Sequence, residues 1–221
     1  MDDAAPVILT ARALLLDMDG TLVNSDAAVE RVWRGWAAEQ GMDPGEVLKV
    51  VHGRQGYATM AILLPDRPMA ENYADNRRLL AQETADTAGI VPIPGAAAFL
   101  AALEGAPHAL VTSADAALAT ARMTAAGLRI PQICITAESV SASKPDPEGF
   151  LKGAAELGVD PADCVVLEDS EAGVAAGKAA GMRVLGVGAR AGAFAPTGVV
   201  DTLEGLRVSV LPDGTIQLRL P

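Results

Sequence analysis

The chain's 221 residues are half hydrophobic and one-fifth charged, with 17 Lys+Arg against 28 Asp+Glu and a formal net charge of -11. That length and apolar content build a full core without staples, which excludes collagen-like, disordered and disulfide-scaffold architectures. The acidic balance also excludes a nucleic-acid partner, which clustered Lys and Arg would have to hold, but leaves room for a small anion, because a few local cations or one metal ion reverse the field inside a pocket.

Near the N-terminus the longest aliphatic runs, Val7-Ile8-Leu9 and Leu14-Leu15-Leu16, are far too short to span a bilayer, and no basic segment precedes them. No membrane contact and no leader are expected, with a cytoplasmic location as the default. Residues 13–16 are apolar throughout, as a strand covered on both faces must be, and form the first predicted strand. More than ninety residues of helical pattern then precede the second strand. This spacing predicts a helical unit over 25–91, inserted in a core made of 1–24 and 92–221.

The insert's first helix begins after Ser25 and carries Val29, Val32, Trp33 and Trp36 at i, i+3, i+4 and i+7, a buried stripe that stops at Gly41. A second helix follows Asp43-Pro44, a third covers 57–64, and a polar one over 69–88 puts Arg77, Arg78, Glu83 and Asp86 on an expected solvated face. Gly53 breaks the second helix, so that His52 and Arg54 can turn toward the core. Val91-Pro92-Ile93-Pro94 reads as a proline-stiffened linker back to the core.

From there apolar strands and Ala-rich helices closed by glycine alternate, the signature of βαβ units. Strands are predicted at 109–112, 132–135, 164–167 and 183–187, and helices at 95–103, 116–126, 147–157 and 172–180. Asp115 and Asp146 are the expected N-caps of the second and third of these helices, with Pro147 at the first helical position. Residues 207–210 and 215–220 alternate apolar and polar around Leu211-Pro212-Asp213-Gly214, which predicts a hairpin. Cys134 and Cys164 sit in apolar strand runs and read as small hydrophobes rather than ligands or a bridge.

Two runs imitate motifs. The glycines of 186–192 miss the dinucleotide spacing by one residue and follow a late strand. Gly173, Gly177 and Gly181 recur every four residues, but Glu171 and Lys178 interrupt the segment, so close packing of a helix on the sheet is expected instead.

The chemistry is concentrated at strand ends. Asp17 and Asp19 follow the first strand two residues apart, at the edge of an open α/β sheet where ligands bind. Two such carboxylates repel each other and need a cation to stay ionised, and oxygen-only ligands favour Mg²⁺. Glu168-Asp169 end a later strand and can meet the first pair across the crevice. Thr112-Ser113 and Lys144 add a hydroxyl, helix-terminal N–H groups and an ammonium, which together make a phosphate clamp.

In this order, Asp17-Met18-Asp19-Gly20-Thr21, Thr112-Ser113, Lys144-Pro145 and Glu168-Asp169 resemble the motifs of the haloacid dehalogenase-like (HAD) phosphatase superfamily over nearly the whole chain. The insert after the first motif resembles the helical C1 cap of its subclass I members. Val51-His52-Gly53-Arg54, Gly149-Phe150-Leu151-Lys152-Gly153 and the 168–182 stretch are most similar to the branch acting on glycerol 3-phosphate, 2-deoxyglucose 6-phosphate and related sugar phosphates.

The resemblance implies an α/β fold, a doubly wound parallel-sheet core with an α-helical cap, and Mg²⁺-dependent hydrolysis of a small phosphorylated metabolite by a monomer, with a weak dimer as the alternative. It makes Asp17 the nucleophile and Asp19 the acid and base. It gives Mg²⁺ to Asp17, the Asp19 carbonyl and Asp169, with Glu168 nearby. Ser113, the Ala114 N–H and Lys144 hold the phosphoryl oxygens, with Thr112 alongside, and His52 and Arg54 read the substrate from the cap. A phospho-acceptor signalling domain lacks the cap and the first motif's order, and a phospho-ligand-binding relative without activity would have a catalytic position replaced, which none is here. Dehalogenation has no need of Asp19. The rival is a β-phosphoglucomutase-like isomerase, which carries a His ten residues beyond the second Asp, where this chain has Val29.

Overall fold

The computed structural model describes residues 7–221. The expectation that no leader is present extends to residues 1–6, which lie outside the described residues. In chain order the elements are β1 (Ile8–Ala11), β2 (Ala13–Leu16), β3 (Val23–Asn24), α1 (Asp26–Glu39), α2 (Pro44–Leu48), α3 (Gly56–Leu63) and α4 (Met69–Ala85). They continue with β4 (Val91–Pro92), α5 (Ala96–Ala102), β5 (His108–Val111), α6 (Ala116–Ala125), β6 (Ile133–Ile135), α7 (Glu148–Leu157) and β7 (Cys164–Glu168). The last are α8 (Glu171–Ala179), β8 (Arg183–Val187), β9 (Gly198–Val200), β10 (Arg207–Val210) and β11 (Ile216–Arg219).

Six strands pair in the order β6-β5-β2-β7-β8-β9, every pair parallel. Side chains alternate across a strand, and β2 splits accordingly: Leu14 and Leu16 enter one apolar layer with Phe99 of α5 and Met123 of α6, while Ala13 and Leu15 enter the other with Phe150 of α7 and Val174 of α8. The sheet is therefore covered on both faces, a doubly wound α/β fold, and its strands are apolar throughout because neither face meets water. Gly177 explains how closely α8 lies on it, since a Cβ there would come within 2.8 Å of Val184. This is the close packing expected of that glycine series.

Helices α1 to α4 pack around a separate apolar cluster that includes Val29, Trp33, Trp36, Val47, Val51, Met60 and Leu79. Trp33 and Trp36 meet edge to face at 5.4 Å, and the Trp36 indole N–H donates to Asp75. Both tryptophans are thus core, as their spacing predicts.

Several expectations need correction. The 91–94 segment is not a plain linker: Val91–Pro92 pairs antiparallel with Val23–Asn24, so both crossings into the helical layer form one short ribbon. The terminal hairpin forms as predicted, but β1 adds to it on the β11 side to make an antiparallel sheet that local pattern does not announce. Asp115 caps α6 through Leu118 N, whereas α7 begins one residue later than predicted, at Glu148, whose N–H Asp146 accepts. Cys164 is buried and Cys134 half-buried on its edge strand. The solvated face expected on α4 holds at Arg77 and Asp86 but fails at Glu83, which is buried against α6. No helix among the described residues is long and apolar enough to cross a membrane.

Candidate active site

Register brings the acidic residues together. Leu16 of β2 stands opposite Leu110 of β5 and Leu167 of β7, so the chain leaves the sheet at Asp17 beside Glu168. The Asp17 N–H still donates to Leu167 O at 3.0 Å, so the backbone carries the carboxylate straight off the strand end. Asp17, Glu168 and Asp169 then offer carboxylate oxygens that all lie within 4.8 Å of one another, and all three residues are buried.

Lys144 reaches into this cluster from the loop before α7. Its ammonium donates to Asp17 Oδ1 at 2.7 Å, Glu168 Oε1 at 2.8 Å and Val111 O at 3.1 Å, over the Phe150 ring. Burial works against this cation, but Asp17 and Glu168 raise its pKa well above the ordinary lysine value, so it stays charged. Both Glu168 oxygens are engaged: Oε2 accepts from Asp169 N, Ser170 N and Ser170 Oγ, and Oε1 from Lys144. A Cβ at Gly173 would overlap that carboxylate, which is why α8 can begin so close to it.

Asp169 receives the Arg190 guanidinium through Nε at 2.9 Å and through Nη2. Burial and then Glu168 nevertheless push Asp169 up to about 7, against the pull of Arg190. Burial and Glu168 also raise Asp17 well above the usual carboxylate range, with Lys144 opposing. With all three carboxylates ionised, as a bound cation would hold them, they exceed the one ammonium and one guanidinium that face them by one negative charge. An all-oxygen donor set with surplus negative charge fits a hard divalent cation such as Mg²⁺. Asp17 and Asp169 each keep one oxygen free of hydrogen bonds from the described residues, whereas both oxygens of Glu168 accept at least one.

Asp19 points elsewhere. Its Oδ1 accepts from Ser25 Oγ at 2.7 Å and its Oδ2 from Arg122 Nη1 at 2.7 Å. Arg122, on α6, is only 5% exposed and also donates through Nη2 to Glu83 Oε2 of α4 at 2.6 Å. Glu83 is 8% exposed, and burial pushes it up to about 7 despite Arg122. One crevice is lined by Asp17 and Asp19 on the sheet side, Thr112, Ser113 and Arg122 beyond them, and Val29, His52, Arg54, Asn76 and Glu83 from the helical layer.

Gly53 does not break α2, which already ends at Leu48; its φ of +80° instead turns the loop beyond that helix, and His52 and Arg54 on either side of it line this crevice. Its carbonyl accepts from Ser113 Oγ at 3.0 Å, a hydrogen bond between the helical layer and the sheet. Burial, then Arg190, lowers the His52 pKa, which keeps the imidazole neutral. Thr112 is buried, with Oγ1 accepting from the Ala114 N–H at 3.1 Å. Of the phosphate-side groups expected from sequence, Lys144 thus meets Asp17 directly, Ser113 reaches the Gly53 loop, and the Ala114 N–H is held by Thr112.

Sequence reasoning missed Arg122, Glu83, Arg190 and Ser25. The first two had a signal: Arg122 falls on the face of α6 that buries Leu118, Ala119 and Met123, and Glu83 follows Asn72, Asn76 and Leu79 along one face of α4. A charge on a buried stripe implies a partner. Arg190 lay in the glycine run set aside as a false dinucleotide loop.

A crevice of buried acids and one lysine at the carboxyl ends of a parallel sheet, with helices over it, is where an α/β enzyme does its chemistry. A family model described as haloacid dehalogenase-like hydrolase matches residues 11–181. The chain is 40% identical over 213 residues to hexitol phosphatase A of Escherichia coli (strain K12), covering 94% of this chain and 99% of that protein. It is 33% identical over 193 residues to glycerol-1-phosphate phosphohydrolase 2 of Saccharomyces cerevisiae, covering 82% of this chain and 76% of the other. A β-phosphoglucomutase structure from Clostridium difficile matches with a TM-score of 0.72 over 89% of this chain and 93% of that one, at 20% identity, a likeness of fold alone. The chain belongs to the haloacid dehalogenase-like hydrolases. It is an enzyme, a phosphatase.

Proposed function

We propose that the protein hydrolyses a small sugar or polyol phosphate through an aspartyl phosphate on Asp17, with Mg²⁺ as cofactor. The observation that carries this reading is the buried set of Asp17, Lys144 and Asp169 at the strand ends, with its unbalanced negative charge. The names of the relatives, a hexitol phosphatase and a glycerol-1-phosphate phosphohydrolase, support the substrate class. The unbridged thiols of Cys134 and Cys164 support a reducing, cytoplasmic setting.

The residues divide the work as follows. The Asp17 carboxylate attacks phosphorus, the bond from phosphorus to the ester oxygen breaks, and Asp19 gives its proton to the leaving alkoxide. Asp19 then takes a proton from the water that attacks the aspartyl phosphate, and Asp17 is regenerated as phosphate departs. Ser25 suits both states of Asp19, because a hydroxyl donates to the carboxylate and turns to accept from the acid. Lys144, charged throughout, stabilises the transferring phosphoryl oxygens together with the Ser113 hydroxyl, while the Ala114 N–H, expected there from sequence, is taken by Thr112 Oγ1. Asp17 and Asp169, with the Asp19 carbonyl, would hold Mg²⁺. When bound, the ion offsets the repulsion between phosphate and carboxylate. Glu168 fixes Lys144 and the turn into α8 rather than acting on substrate.

One observation weighs against the mutase alternative. Val29 lines the crevice from α1, an apolar side chain where the isomerase needs a titratable one. A screen of phosphate monoesters for released phosphate, with a coupled assay for glucose 6-phosphate from β-glucose 1-phosphate, tests both. Release from polyol or sugar phosphates without isomerisation is expected, and efficient isomerisation would overturn the reading.

A further inference from the structure

The wall of the crevice beyond Asp19 is an ion pair that stability alone does not explain. Glu83 and Arg122 come from helices of different layers, and both are buried. Burying two charges costs desolvation that an apolar pair of the same shape would avoid. The arginine is also incompletely used: its Nη atoms bind Asp19 and Glu83, but its buried Nε has no hydrogen-bond partner. Glu83 takes Arg122 on Oε2, with Oε1 receiving no hydrogen bond from the described residues. An unpaired donor and a free acceptor oxygen therefore belong to two residues that both line the substrate crevice.

We propose that Glu83 and Arg122 are the subsite that reads the leaving group just beyond the ester oxygen, accepting the hydroxyls of an uncharged polyol and refusing a leaving group that bears a second anion there. The proposal rests on the reading of Asp19 as the acid at the ester oxygen. Arg122 touches Asp19 at 2.7 Å, so the pair lies within a few bonds of the scissile link. There Glu83 Oε1 accepts from a substrate hydroxyl, while Arg122 holds Glu83 and Asp19 in place through its Nη atoms. Both Nη groups of Arg122 are taken, one by Asp19 and one by Glu83, so a substrate carboxylate would enter beside Glu83 without a cationic partner. Arg54 lines the crevice from the turn that Gly53 makes, and its guanidinium pairs with neither Glu83 nor Asp19 among the described residues. His52, held neutral, adds no positive charge.

The test compares glycerol phosphate with 3-phosphoglycerate, which differ only in a terminal hydroxymethyl against a carboxylate. Both are assayed at pH 8 with Mg²⁺, with p-nitrophenyl phosphate as a third substrate. The wild-type enzyme should favour glycerol phosphate in kcat/KM by about 50-fold or more, as a desolvated like-charge contact demands. Glu83→Gln, which keeps the shape and removes the charge, should bring the ratio below about 5. Glu83→Asp, which keeps the charge but retracts it, should weaken glycerol phosphate and leave the preference in place. A wild-type ratio near one overturns the proposal without any variant, and so does an unchanged ratio in a folded Glu83→Gln protein. If the wild type cleaves p-nitrophenyl phosphate but discriminates no further, the subsite is wrong and the phosphatase stands. If it cleaves no ester at all, the phosphatase reading has failed and this proposal falls with it.

Discussion

The two walls of the crevice are held by different forces. On the sheet wall, Asp17, Glu168 and Asp169 leave adjacent parallel strands, and Lys144 is locked between two of them by hydrogen bonds of 2.7 and 2.8 Å. Backbone register sets their spacing, and strand pairing cannot shift by less than a residue. On the helical wall, His52 and Arg54 sit on a turn, and Asn76 and Glu83 on one helix that meets the core through side chains. Only a few polar contacts tie the walls together, among them Ser113 to Gly53 and Arg122 to Glu83. The difference teaches a division of labour: bond-making groups stand on the rigid element, and recognition is assigned to the layer that can yield.

If that division is real, damage to the sheet wall should be near total. Asp17→Asn removes the nucleophile at constant volume and should cut phosphate release at least ~10³-fold with the fold intact by circular dichroism. A tenth of wild-type activity would be incompatible with the covalent route. Chelator should abolish turnover and added Mg²⁺ restore it, while Asp169→Ala should raise the Mg²⁺ concentration needed for half-maximal rate by about 10-fold or more. Full activity in excess chelator would remove the metal.

Between the walls the effect should be intermediate. Arg122→Ala leaves buried Glu83 and half-buried Asp19 without their shared cation, and kcat/KM for a polyol phosphate should fall about 10- to 100-fold. The loss should be smaller on an aryl phosphate, whose leaving group needs Asp19's proton less. Arg122→Lys keeps the charge but not the fork and should recover only part of the rate. Equal losses on both esters would make Arg122 a support of the fold alone. Purely on the helical wall, Arg54→Ala should lower kcat/KM for the polyol ester roughly 10-fold and for the aryl ester less, as expected of a residue that reads the substrate from the cap.

The same division governs what the sequence discloses. Asp17, Asp19, Glu168 and Asp169 are legible because they close apolar strand runs, and in a parallel sheet all strand ends open on one crevice. Lys144 stands in a loop well past its strand and is legible from the order of the motifs. The hairpin of β10 and β11 is legible from its turn, but its partner β1 lies about two hundred residues away in sequence, beyond any local pattern. Glu83 was assigned to solvent because the face of α4 is polar overall, and polarity alone does not reveal that Arg122 waits on another helix. Arg190 escaped for a related reason: its partner Asp169 is joined to it by the fold and not by spacing. Pairings across layers are decided by packing, to which helical periodicity contributes a face but no partner.

The smallest effect separates the walls by their protons. Asp17, Asp169 and Glu83 all have raised pKa values in the folded protein, the latter two at about 7 against ordinary values of 3.8 and 4.5. Between those limits the native state holds protons that the unfolded chain has released, so stability must fall as pH rises from 5.5 to 8. His52 acts in the opposite sense, since its lowered pKa makes the unfolded chain the better proton binder near pH 6. Acids with depressed values, such as Asp75 and Glu148, lose their contribution only below about pH 4.5, and Lys144 titrates above 10, so neither enters this window. The three acids outweigh one histidine, and the metal-free protein should melt about 5 °C lower at pH 8 than at pH 5.5. Mg²⁺ should remove the part of that slope due to Asp17 and Asp169, because it binds their ionised forms and stabilises the fold most at pH 8. The residue of the slope belongs to Glu83, which holds no metal, and Glu83→Gln should flatten it. If Mg²⁺ alone abolished the whole dependence, Glu83 would not be a strained buried acid. If Mg²⁺ left the slope untouched, the sheet wall would not be the metal's binding place.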